Sequence, residues 1–78
     1  MQIKLQKKFS LLVLFGEGIR ETRKEKKLSQ EALANKSGLH RTYIGMVERG
    51  EKNISLKNIS KLSKGLEVPM PEIFKRLK

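Results

Sequence analysis

SQEALANKSGLHRTYIGMVERG, residues 29–50, carries the signals of two short helices joined by a tight turn. Ser29 suits an N-cap, because its hydroxyl can accept from backbone N–H groups of the following turn. Glu31 then sits near the positive end of the helix dipole, and Ala32, Leu33 and Ala34 favour the helical state. Gly38 ends this helix, since glycine reaches positive φ without a Cβ clash. Leu39 turns back toward the core, and His40-Arg41-Thr42 opens a second helix.

Leu33, Leu39, Ile44 and Val47 are spaced to face one core, and Ala34 is small enough to let the second helix cross closely. Two helices crossing steeply through a short glycine-containing turn make a helix-turn-helix, whose second helix enters the major groove of DNA. A helical hairpin with no ligand shares the apolar spacing. The turn glycine, the small residue before it and the basic start of the second helix favour the DNA-binding form.

Leu28-Ser29-Gln30-Glu31, Leu33-Ala34, Gly38-Leu39, Tyr43-Ile44 and Glu48-Arg49-Gly50 resemble the phage-repressor/Cro-like (XRE) helix-turn-helix family, over roughly Phe15 to Phe74. Within it, LHRTYIGMVERGEKNISL (Leu39 to Leu56) is similar to the controller proteins of restriction–modification systems; antitoxins and prophage repressors carry similar strings. The resemblance implies an all-α, five-helix lambda-repressor-like domain spanning residues 1–78, with the helix-turn-helix at 29–49. It further implies an ion pair between Arg23 and Glu48, tying helix one to the end of the reading helix, and dimerisation through the C-terminal region. Ser37 stands where the family usually has an apolar residue, so a less well packed turn is expected there.

The chain has 78 residues and a formal charge of +10. So short a chain buries a small core, and dimerisation would help its stability. Residues 1–28 hold eight Lys/Arg and three Glu, residues 29–54 four and three, and residues 55–78 six and two. The reading unit is therefore nearly neutral and the flanks carry the excess, as suits flanks that grip phosphates around a few base-reading side chains. There is no cysteine and one histidine, His40. That excludes disulfides and histidine-cluster metal sites, and fits a reducing cytoplasm.

The basic start (Lys4, Lys7, Lys8) and apolar run Phe9–Phe15 look superficially like a signal peptide, but the run is short, no cleavage site follows and Glu17 arrives at once. Residues 1–8 are expected to be a flexible basic start, with the rest adding helix on the core or a dimer contact. Helix one is expected over about Ser10 to Lys26, with Gly16 and Gly18 as points where it could break. Ser55 caps a fourth helix from Leu56 to about Gly65, with Leu56, Ile59 and Leu62 on one face. Pro71 suits the first turn of a fifth helix. The apolar residues Leu66, Val68, Met70, Ile73, Phe74 and Leu77 are divided between core and a two-fold subunit contact.

A reading helix presents its N-terminal residues to base edges, here Arg41, Thr42 and Tyr43, with Met46 one turn on. Arg41 is the chief candidate, because a guanidinium bonds bidentately to guanine O6 and N7. In controller proteins the residues matching Arg41 and Thr42 lie at the base-reading end. Gln30, His40, Lys52 and Asn53 are candidates for phosphate, with Gln30 alternatively bracing the reading helix. The function expected is a dimeric, sequence-specific regulator on a near-palindromic double-stranded DNA operator, most like a restriction–modification controller, with RNA polymerase as a further contact. A prophage repressor or an antitoxin is the alternative within the class; a basic membrane-surface or RNA-binding module is the alternative outside it. No enzyme, cofactor, small-molecule ligand or membrane partner is expected.

Overall fold

Helix ends in this chain are set by a small number of backbone and side-chain bonds. The computed structural model describes the backbone of residues 2–75 and the side chains of residues 11–75. Leu77, expected at a subunit contact, lies outside the described residues. Five helices follow in order: α1 Gln2–Glu25, α2 Gln30–Ser37, α3 Arg41–Glu48, α4 Leu56–Leu66 and α5 Met70–Ile73. There is no strand among the described residues. The Ser29 hydroxyl accepts from the Ala32 N–H at 2.9 Å and the Ser55 hydroxyl from the Asn58 N–H at 3.1 Å, so α2 and α4 start where their caps predict.

Four helices stop in the same way. Gly38 (φ 71°) and Gly50 (φ 74°) end α2 and α3, and Lys27 (φ 59°) and Glu67 (φ 60°) end α1 and α4. At the end of α1 the Leu28 N–H reaches back to the Arg23 carbonyl (3.1 Å) and the Lys27 N–H to Lys24 (2.9 Å). At the end of α4 the Val68 N–H reaches Ser63 and the Glu67 N–H reaches Lys64, both at 3.1 Å. This paired return is the Schellman motif. Lys and Glu in left-handed positions carry no glycine to signal them.

Three glycine and small-residue expectations are corrected. Gly16 and Gly18 do not break α1, which is one helix and begins at Gln2 rather than Ser10. A Cβ at Gly16 would lie 2.3 Å from the Val47 carbonyl oxygen and 2.7 Å from that of Glu48, so glycine is there to let the end of α3 approach. Gly65 likewise lies inside α4, where a Cβ would meet Ser37 Cβ at 2.9 Å and Leu33 Cδ1 at 3.1 Å. The third correction follows from that contact. Ser37 is buried against Gly65 with its hydroxyl donating to the Ala34 carbonyl at 3.3 Å, so the turn is well packed with a small residue in place of an apolar one.

α2 lies against both α3 and α4, α1 lies against α3, and α5 closes the bundle between α4 and α1. Phe15 and Ile19 from α1, Leu33 and Ala34 from α2, Ile44 and Val47 from α3, and Ile59, Leu62 and Leu66 from α4 meet in one core, which Ile73 of α5 seals. Leu39 is partly buried at its edge. Leu56 departs from the expected face: it is 70% exposed at the first helical position, and the buried stripe of α4 begins one turn later at Ile59. The segment before the core continues α1, with Val13 against the backbone of Gly50.

Replacing Gly16 by alanine tests the close approach. The gain in helix propensity is roughly 1 kcal/mol, but the new methyl group meets backbone that cannot swing away. With the new Cβ 2.3 Å from a backbone oxygen, the overpacking cost lies at the upper end, about 3 kcal/mol, and outweighs that gain by about 2 kcal/mol, so the melting temperature is expected to fall by about 8–15 °C. An unchanged or raised melting temperature in circular dichroism would contradict the contact.

Candidate nucleic-acid interface

α3 is held at one end and open at the other. At its last residue, Glu48 is buried, and its carboxylate receives three hydrogen bonds. Arg23 of α1 donates from Nε to Oε2 at 2.7 Å and from Nη2 to Oε1 at 3.2 Å. Gln30, the first residue of α2, donates from Nε2 to Oε1 at 3.0 Å. Arg23 Nη1 goes instead to the Leu28 carbonyl at 2.8 Å, in the turn between α1 and α2. Side-chain exposure is 11% for Arg23 and 3% for Glu48, so the pair is nearly dry and depends on these bonds. The expected Arg23–Glu48 pair is therefore present, and it is part of a larger knot. Gln30 makes the bracing contact, one of its two expected roles.

At the other end, His40 caps α3: its Nδ1 accepts from the Thr42 N–H at 3.4 Å. His40 itself is exposed. Arg41 and Thr42 follow and are exposed. Tyr43 is half-buried, its ring against the core and its hydroxyl accepting from Asn58 Nδ2 at 3.0 Å. Met46, one turn further, is also half-buried. Of the four residues expected to read bases, Arg41, Thr42 and Tyr43 thus fall in the first half of α3 and Met46 in the second, with Arg41 and Thr42 free of the core.

Lys52 and Asn53 are exposed in the loop between α3 and α4, before the Ser55 cap. In the same region Arg49 donates to Glu51 from Nε at 2.9 Å and from Nη2 at 3.1 Å. This hydrogen bond holds the Glu51 carboxyl below its ordinary range and the Arg49 guanidinium above its own. A lowered carboxylate adds stability at neutral pH that is lost as pH falls through its shifted value. Both partners are exposed, so the effect on stability is small. Its local consequence is to occupy Arg49, whose guanidinium lies over Gly45 with Nη1 3.2 Å from where a Cβ would stand.

The expected subunit face is revised. Leu66 and Ile73 are 1% and 5% exposed within the single chain, so both are consumed by the core. Val68 and Met70 are partly buried, and Phe74 is 38% exposed with its ring 6.0 Å from that of Phe15. These three are what remains of the expected subunit face among the described residues. Sequence inspection missed two functional contacts, Asn58 with Tyr43 and Arg23 with the Leu28 carbonyl. Asn58 stands fifteen positions from Tyr43, and no local pattern pairs them. Among the described residues no helix is long and apolar enough to cross a membrane.

Comparison with known proteins bears on this geometry. A helix-turn-helix family model matches residues 19–73. The control protein C.SmaI of Serratia marcescens is 46% identical over 63 residues, covering 81% of this chain and 75% of that protein. The control protein C.BamHI of Bacillus amyloliquefaciens is 50% identical over 60 residues, covering 76% of this chain and 74% of its own. The crystal structure of the restriction–modification controller protein C.AhdI from Aeromonas hydrophila superposes with a TM-score of 0.79 at 54% identity, covering 81% of this chain and 96% of that one.

Glu48→Ala leaves Arg23 buried without its carboxylate and Gln30 without its acceptor. Removing one partner of a buried pair costs about 3–5 kcal/mol, which at this size lowers the melting temperature by at least ~10 °C. A thermal melt that does not move would show that the knot does not hold α3.

Proposed function

This chain belongs to the helix-turn-helix family, among the controller proteins of restriction–modification systems, and from that premise we propose how its surface reads DNA. It is a DNA-binding transcriptional regulator and not an enzyme. The observation that carries the proposal is the asymmetry of α3: its C-terminal Glu48 is buried and triply bonded, while Arg41 and Thr42 stand exposed at the other end. A helix anchored at its tail can put its head into a groove without moving.

Arg41 reads guanine through its forked donors, worth about 1–3 kcal/mol of discrimination. Thr42 beside it offers a hydroxyl to a base edge and a methyl to thymine. Tyr43 and Met46 complete the contact from the core side. His40, and Lys52 and Asn53 in the following loop, hold phosphates on either side, with Gln30 at the start of α2 keeping the register between them. The charge distribution supports this division, because the cationic excess lies in the flanks and is available to phosphate.

The functional unit in this proposal is a homodimer. Val68, Met70 and Phe74 supply the apolar face, and a two-fold axis through it sets two copies of α3 at about 34 Å, one turn of the duplex. The operator is then a near-palindrome filled in proportion to the regulator's own concentration. A cytoplasmic location and contact with RNA polymerase at a controlled promoter belong to the same proposal.

Two measurements test it. In selection from random duplexes followed by binding titrations, Arg41→Ala is expected to relax preference at one base pair per half-site. Lys52→Ala is expected to weaken all sequences alike and to reduce the slope of log affinity against log salt by about 1. A preference unaltered by Arg41→Ala would remove that residue from base reading. Separately, Met70→Lys is expected to shift sedimentation from dimer to monomer; a dimer of undiminished affinity would place the subunit contact elsewhere.

A further inference from the structure

Tyr43 is the third residue of α3 and Asn58 the third of α4, so the first turns of two helices meet through these side chains. Asn58 Nδ2 donates to the Tyr43 hydroxyl at 3.0 Å. Both partners are fixed from behind. The Asn58 backbone N–H is tied to the Ser55 cap at 3.1 Å, and the next residue, Ile59, is in the core. The Tyr43 ring packs against that same core. The hydroxyl is therefore placed by two helices rather than by one rotamer.

A phenol has one proton to give and lone pairs with which to accept. When an amide N–H occupies a lone pair, the phenol proton points away from the amide, and a hydroxyl that already accepts is a better donor. We propose that Asn58 is a positioning residue that sets the hydrogen-bond polarity of Tyr43, so that the hydroxyl meets DNA as a donor and selects an acceptor, either a phosphate oxygen or a purine N7. This rests on α3 being the groove-facing helix. A donor presented in this way is refused by the exocyclic amino groups of adenine and cytosine, which are themselves donors. Against a base it carries sequence information, and against a phosphate it fixes register. Asn58 touches neither and acts through Tyr43.

The test begins with a duplex selected by the full chain from a random pool. Affinities for that duplex and for an unrelated one of equal length give a preference ratio for the wild type, Asn58→Ala, Asn58→Asp, Tyr43→Phe and the Asn58→Ala/Tyr43→Phe double variant. The two single changes, Asn58→Ala and Tyr43→Phe, are expected to lower affinity for the selected duplex by roughly three- to tenfold, the worth of one hydrogen bond, and the double variant no further than Tyr43→Phe; the ratio falls by the same factor where the acceptor is a base and stays level where it is a phosphate. Asn58→Asp accepts the phenol proton and reverses the polarity, so it lowers affinity for the selected duplex at least as far. Its added charge weakens both duplexes together and cancels in the ratio, and an acid in the first turn suits the helix, so the fold is kept. A single 7-deazapurine or methylphosphonate substitution should cost the wild type the same factor and Tyr43→Phe nothing, which separates base from phosphate.

Additive losses in the double variant, an affinity for the selected duplex indifferent to Asn58→Ala, or indifference to every such DNA substitution would overturn the polarity device while leaving groove reading intact. Failure to enrich any duplex would overturn groove reading itself, and the device with it.

Discussion

A single buried carboxylate, that of Glu48, determines how the two motif helices stand to the rest of the chain. Arg23 grips it from α1 and Gln30 from α2, and Arg23 reaches on to the carbonyl of Leu28. An isolated charge at this depth would be expensive; three charge-assisted bonds offset the desolvation and, in doing so, specify an orientation. Apolar contacts alone would hold α3 against α1 and α2 but tolerate sliding and rotation. The knot does not, because a bidentate guanidinium requires the carboxylate in one plane.

The knot's position is as informative as its strength. It lies at the C-terminal end of α3, beside the place where Gly16 lets α1 come within contact of the Val47 and Glu48 carbonyls. The knot stiffens α3 from that end, and the buried Ile44 and Val47 stiffen it along its apolar face. The N-terminal end is left with a His40 cap and two exposed polar side chains. Among the described residues it is tied sideways by the Tyr43–Asn58 bond to α4. A regulator of this family has to present a rigid set of donors without spending them on itself, and this arrangement does so.

Charge follows the same logic. The chain is strongly basic, yet its reading unit holds four Lys/Arg against three Glu, two of which, Glu48 and Glu51, are engaged by Arg23 and Arg49. In the proposed mode of binding, the flanks carry the non-specific attraction that aids capture of any duplex. Little of it acts at the base edges, where geometry has to discriminate.

The amino-acid sequence by itself determined the helical class, the limits of α2 and α3, the core face Leu33, Ile44 and Val47, and the exposed start of the reading helix at Arg41. These depend on periodicity, caps and a turn glycine, which are local and act over a few residues. The Arg23–Glu48 pair, a contact between distant positions, was expected only from family resemblance. Tertiary structure alone decided the meaning of Gly16 and Gly65, which local propensity reads as helix breakers and packing reads as room for a neighbouring backbone or side chain. It also decided that Ser37 packs well, that Leu56 is exposed, that Leu66 and Ile73 belong to the core, and that Asn58 holds Tyr43. The reason is common to all of them: whether a small residue is a defect or a requirement, and whether an apolar one is core or surface, depends on which segment arrives opposite it, and that segment lies far away in the chain.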